Sequence, residues 1–288
     1  MRPLAEVKAQ ILNAFHAALT EPSDTIAASR AAREEKARAI NALVGETRHR
    51  LSIQVAGLEV ADRPNYALVL QYCSTVASLE YRHKVWPYEY MAFSRRVGEL
   101  WESFCSAAWD HPSLPGVARI ATPKFATVTN TLSTRIRNNI GEHGRADEIL
   151  RDFHALLDIV GNINMKEDEV FSVGEIPYVV DFKSGFGSNE KGNMLRLQTV
   201  GKAYRIWNPQ TQLLLLVRQE ENNNYLNVMR RAGTWAVHTG ADAYAQISAL
   251  TGADMGTIRQ SVINWPSDLS REFYEFLTNA NLARYLTW

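Results

Sequence analysis

The chain has 288 residues, 46% of them hydrophobic and 22% charged, which suits a globular protein with a sizeable core in one large domain or two lobes. Its 31 basic and 31 acidic residues cancel, so no global charge selects an acidic partner, and a nucleic-acid surface would have to be a local basic patch. Two cysteines, Cys73 and Cys105, sit in apolar surroundings of helical pattern, which argues against a disulfide framework or metal site and fits buried thiols of a reducing compartment.

The opening Met1-Arg2-Pro3-Leu4 lacks the continuous apolar core of a signal peptide. The longest aliphatic run, Leu213–Val217, is far too short to span a bilayer. A soluble cytoplasmic protein with no membrane contact is therefore expected. No internal repeat is visible, and the one compositional bias is an Ala/Arg/Glu-rich stretch near residues 27–42.

Residues 3–160 read as almost entirely helical. Leu4, Val7, Ile11, Leu12, Phe15 and Leu19 fall at helical spacing, and the segment should stop near Glu21-Pro22. A second helix is expected from Ser23 or Asp24, carrying Arg30, Arg33, Lys36 and Arg38 on a solvated face. Asp62-Arg63-Pro64 is a helix start, with Pro64 in the first turn, and Tyr66, Val69, Leu70, Cys73, Val76 and Ala77 form one face after it. Beyond Trp86-Pro87, Val97, Leu100, Trp101, Phe104, Cys105 and Ala108 mark another helix, and Asp110–Gly116 a loop.

Residues 123–140 should form a helix ended by Gly141. Its polar side carries Thr129, Arg135, Arg137, Asn138 and Asn139, a mixture of guanidinium and amide groups that serves either as a plain polar surface or as bidentate contacts to phosphates and base edges. A helix from Ala146 to Val160 follows.

From Glu167 the period changes to two. The spacing predicts a hairpin over 168–173 and 176–183, a helix from about Met194 to Trp207, a strand Leu213–Arg218 and a helix around Tyr225–Arg231. A strand Trp235–Thr239 and three helices, Asp242–Leu250, Asp254–Asn264 and Ser267 to the end, complete the chain. Strand, helix and strand in succession imply a mixed α/β sheet with helices on its faces. The expected division is a helical region over residues 1–160 and an α/β region over 161–288.

The hairpin carries the chemistry. Gly174-Glu175 is a natural two-residue turn, with Gly first as a type II′ turn prefers. Val173 then pairs with Ile176, and Asp168 lies opposite Asp181 on the same face; a three-residue turn would bring Glu169 opposite instead. Asp168 is the first choice for the upstream acid, Glu169 the second and Glu167 the third. Facing carboxylates repel unless a cation lies between them, and oxygen-only donors, with the Phe182 carbonyl and waters, favour Mg²⁺. Lys183, on the same face, would hold or help deprotonate a metal-bound water and neutralise charge developing on a phosphodiester. Gln198 and Lys202, one turn apart on the following helix, would orient Lys183 or contact phosphate, or simply pack or be solvated; the loop Phe186–Asn193, with Lys191, would approach a DNA backbone. The seven histidines form no zinc-binding spacing, and no Gly-rich nucleotide loop is present.

Asp168 followed by Asp181-x-Lys183 at the end of an apolar strand resembles the PD-(D/E)XK nuclease core over roughly residues 167–252. DFKSG…LRLQTVGKAY and WAVHTGADAYAQISALTG are most similar to type II restriction endonucleases that cut interrupted GC-rich sites of the GGNCC type. The resemblance implies a restriction-endonuclease-like mixed sheet behind a large all-helical region used for DNA binding or dimerisation. It also implies a homodimer that cuts double-stranded DNA to 5′-phosphates with Mg²⁺, or with Mn²⁺ in its place, alongside a cognate DNA methyltransferase. Repair or phage nucleases share the core and stand as an alternative, as does a DNA-binding protein whose hairpin is only structural. No proline precedes the upstream acid, and Gln198 and Tyr204 lack the spacing of RecB-like exonucleases.

Overall fold

The computed structural model describes residues 3–141, 143–185, 191–219 and 224–288. They form two compact units, Met1–Pro115 with Ala241–Trp288, and Gly116–Gly240. The division thus falls at 115/116 and 240/241, where the expectation put it at 160/161. Residues 116–160 join the sheet because Val117–Arg119 is a strand of it, and the helix Phe125–Ile140 packs on a helix of the same unit. Residues 241–288 join the N-terminal helices through bonds such as that from Trp101 Nε1 to the Tyr244 hydroxyl at 2.8 Å. Among the described residues, no helix is long and apolar enough to cross a membrane.

The helical unit holds α1 (Leu4–Ala28), α2 (Arg33–Ser52), α3 (Arg63–Val85) and α4 (Tyr90–Ser106). Its centre is α3, buried without a break from Ala67 to Leu79, with Cys73 and Cys105 as free buried thiols. Two boundaries depart from expectation. α1 runs through Pro22 instead of stopping there, because Leu19 and Ser23 on either side are fully buried and the Ser23 hydroxyl donates to the Thr20 carbonyl at 2.8 Å. Packing along α3 outweighs the backbone bond that proline removes. Consequently α2 starts at Arg33, ten residues later than its earliest expected start. The expected helix Asp254–Asn264 is one α-turn, Met255–Thr257, continuing into the wide turn Ile258–Val262, and the final helix is broken into Trp265–Asp268 and Arg271–Asn279. Leu269 is extended and Asn281 takes a left-handed φ of 55°, which end those two segments.

The sheet unit contains β1 (Val117–Arg119), α5 (Phe125–Ile140), α6 (Ala146–Val160), β2 (Glu169–Val173), β3 (Ile176–Lys183), α7 (Lys191–Trp207), β4 (Gln212–Val217), α8 (Asn224–Ala232) and β5 (Ala236–Thr239). The five strands stand in chain order, β1-β2-β3-β4-β5. β2 runs antiparallel to its neighbours β1 and β3, while β4 and β5 run parallel to β3 and are reached through α7 and α8. The mixed α/β architecture is as expected; the short β1 lies between the expected loop Asp110–Gly116 and the expected helix 123–140, within a stretch expected to be almost entirely helical.

The register Val173↔Ile176 and Glu169↔Val180 is that of a two-residue turn, and Gly174 has φ 59° as its first position requires. Side-chain alternation then assigns the faces. Val170, Val179, Leu213, Leu215 and Val217 look one way and pack with Leu197, Val200 and Tyr204 of α7 and Leu226 and Met229 of α8. α7 approaches closely because Gly201 has no side chain: a Cβ there would lie 2.6 Å from Trp235 Nε1. That indole donates to the Leu197 carbonyl at 2.8 Å, so helix and β5 are locked together.

Candidate active site

β3 delivers the site. It is buried from Val179 to Phe182 and ends with Asp181 and Lys183 on the face that carries α7. Asp181 is 2% exposed, and a charge so deep requires partners. Its Oδ2 accepts from Arg196 Nη2 at 2.9 Å, and the Lys183 ammonium lies against Oδ1 as an ion pair without hydrogen-bond alignment. Lys183 Nζ also donates to the Phe182 carbonyl at 3.0 Å.

The three candidate upstream acids separate cleanly. Asp168 is the residue that continues the β2–β3 register opposite Asp181; it is exposed, and its Oδ2 accepts the Phe182 N–H at 2.7 Å. Glu169 points to the opposite face, where Arg119 Nε and Nη2 hold its two oxygens at 2.8 Å each. The two-residue turn therefore takes Glu169 away from Asp181. Glu167, two residues before β2 begins, is brought back: Arg196 Nη1 and Nη2 donate to its two oxygens at 2.6 and 3.1 Å, and the same Nη2 reaches Asp181. The segment leading to it is held by Tyr204 of α7, whose hydroxyl donates to the Met165 carbonyl at 2.7 Å.

Glu167, Asp168 and Asp181 thus lie near Lys183 and Arg196, and burial together with the Asp181 charge shows in the acidities. Glu167 is pushed up to about 8, first by burial and then by its contact with Asp181, with Arg196 only partly opposing. Asp168 is also raised, by the surrounding protein and then by the Asp181 charge. The folded protein consequently keeps a proton on Glu167 that the unfolded chain releases above the usual carboxylate range. Stability from this group is fully present below about pH 4.5 and falls as the pH climbs to about 8. We expect the melting temperature of metal-free protein to drop across that window. In Glu167→Gln this part of the slope disappears; an identical slope in both proteins would contradict the assignment.

Other expected residues fall elsewhere. Gln198, for which spacing leaves a role beside Lys183 and plain packing both open, has its amide occupied: Oε1 accepts from the Thr234 hydroxyl at 2.7 Å and Nε2 lies 3.2 Å from Met229 Sδ. It fastens α7 toward β5. Arg135 donates from Nη2 to the Ile206 carbonyl at 3.1 Å, tying α5 to the last turn of α7. Arg137, Asn138, Asn139, Lys191 and Lys202 are exposed, and Lys191 opens α7. The loop proposed to approach DNA lies, from 186 to 190, outside the described residues. Arg196 and its link to Glu167 were not anticipated. The available signal was its position at the edge of the buried stripe Leu197, Val200 and Tyr204, on a helix that follows a strand ending in a buried acid.

The residues suit a hard divalent cation in donor type: carboxylate and carbonyl oxygens, and a buried Asp181 Oδ1 with no hydrogen bond among the described residues. Among the described residues no group of three His, Cys, Asp or Glu is gathered into a cage. A cation here would rest on two carboxylates, a backbone carbonyl and water. Comparison of the chain with protein-family models, curated proteins and solved structures finds no match.

Proposed function

We propose that the chain is a Mg²⁺-dependent phosphodiesterase that hydrolyses DNA, built on a PD-(D/E)XK-type hairpin. Within that class the reading is a type II restriction endonuclease with a restriction-endonuclease-like core, working as a homodimer on double-stranded DNA and leaving 5′-phosphates. The observation that carries it is the hairpin register, which sets Asp168 beside the strand bearing Asp181 and leaves Lys183 on Asp181 at the strand's end.

Asp168, Asp181 and the Phe182 carbonyl would hold the ion. Bound Mg²⁺ would supply charge stabilisation at the phosphate and acidify a water. Lys183, already resting on both Asp181 and the Phe182 carbonyl, would position the attacking water and offset charge growing on the phosphate oxygens. Arg137, Asn138, Asn139, Lys191 and Lys202 would meet the duplex as exposed polar groups, while Arg135 and Gln198 keep their structural bonds.

A second reading has one observation in its favour: Lys183 and Arg196 already pair Asp181, as they would in a purely structural ion network of a DNA-binding protein. Incubation with a plasmid of known sequence in Mg²⁺ or Mn²⁺ separates the possibilities. Discrete fragments with 5′-phosphate ends support the restriction enzyme, and progressive loss from ends supports an exonuclease of the same core. Retained DNA affinity without cleavage supports the structural network.

A further inference from the structure

We infer that Arg196 is a displaceable plug in the carboxylate site: its guanidinium closes Glu167 onto Asp181, and a divalent cation enters only as that guanidinium leaves. The inference rests on the reading that this site takes a divalent cation. Three features of the site carry it.

The first is occupancy. One planar fork holds both Glu167 oxygens at 2.6 and 3.1 Å and reaches Asp181 Oδ2 at 2.9 Å, so one oxygen of a proposed ion ligand is already taken by a cation. The second is access. The side chains of Glu167 and Asp181 are 1% and 3% exposed, whereas that of Arg196 is 38% exposed, so the plug reaches water while the groups it covers do not. Lys183, at 17%, is the more enclosed of the two cations and the less free to leave. The third is charge. A divalent ion added beside Lys183 and Arg196 sets two further positive charges against two cations already in place, and departure of one of them relieves that repulsion. Arg196 stands on the second turn of the 17-residue α7, so a guanidinium swung outward lies near that helix's N-terminal end, where anionic phosphate is favoured. A DNA phosphate is therefore the natural receiver of the displaced group, and metal and DNA should assist each other's binding.

The test measures Mn²⁺ binding to the full chain by the paramagnetic resonance signal of free Mn²⁺, with and without a random-sequence duplex. We use Arg196→Gln, Arg196→Lys and Asp181→Asn, each checked for folding by circular dichroism. Without DNA, Arg196→Gln should bind Mn²⁺ at least about tenfold more tightly than the native chain, which is about 1.4 kcal/mol. Arg196→Lys, which cannot span two carboxylates with one planar fork, should fall between them and keeps the test open if the glutamine variant fails to fold. The duplex should raise Mn²⁺ affinity more in the native chain than in the variants. Unchanged or weaker Mn²⁺ binding in the folded Arg196 variants, or an equal gain from DNA, would overturn the plug. Mn²⁺ binding that Asp181→Asn leaves intact would instead overturn the metal-site reading itself, and the two failures are distinct.

Discussion

Asp181→Ala and Lys183→Ala should each lower Mg²⁺-dependent cleavage of duplex DNA by about a thousandfold or more, equivalent to about 4 kcal/mol of transition-state stabilisation. DNA binding measured in Ca²⁺ should survive in both. The two losses have different causes. Asp181 is the buried carboxylate whose Oδ1 carries no hydrogen bond among the described residues, so its removal would delete a proposed ion ligand. Lys183 is held at the strand end by Asp181 and the Phe182 carbonyl, so its removal takes away the cation nearest the proposed reacting water. Asp181→Ala also strands Arg196 on Glu167 alone, and Asp181→Asn controls for that change in shape. Full cleavage by any of these variants would sink the catalytic reading.

Arg119→Ala should destabilise the sheet unit strongly while leaving the proposed site's own residues intact. Glu169 is 4% exposed, and both of its oxygens are held by the Arg119 fork. Deleting one partner of a buried pair leaves an uncompensated carboxylate, at a cost of about 3–5 kcal/mol. Because the Arg119 side chain is 42% exposed, water can reach the gap and the loss should fall at the lower end. Denaturant unfolding would read this as a reduced midpoint at unchanged slope. Replacing both residues, Arg119→Ala with Glu169→Leu, should recover much of the loss, since an apolar side chain in that position needs no partner. A destabilisation of the same size in the double variant would show that the contribution comes from packing rather than charge.

That pair also marks the limit of what the residues alone disclose. Alternation, the apolar run Ile176–Val180 and the Gly174-Glu175 turn were enough to place β2, β3 and their register, because one face of this hairpin is buried and a slip of one residue would invert it. The helix α7 was legible from its apolar stripe. β1 was not: three residues, Val117–Arg119, are too few to show a period, and their pairing partner is more than fifty residues away. The same gap hid the Arg119–Glu169 pair and kept Glu169 among the site candidates. Pro22 reads as a stop by local chemistry, and only burial of Leu19 and Ser23 overrides it. Within the site, Asp168, Asp181 and Lys183 could be read from spacing on strands. Glu167 and Arg196 could not, since their meeting depends on how α7 lies over the segment before β2. For Gln198 helical spacing leaves a site role and plain packing equally open, and its contacts with Thr234 and Met229 decide for packing.

The most direct test of the metal-site claim is anomalous scattering from crystals of the complete chain with duplex DNA, grown in Ca²⁺ and exchanged into Mn²⁺. The account predicts an Mn²⁺ peak bound by Asp181 and Asp168, with Arg196 withdrawn from Asp181. A site without a peak, with Lys183 and Arg196 still paired to Asp181 beside bound DNA, would contradict it.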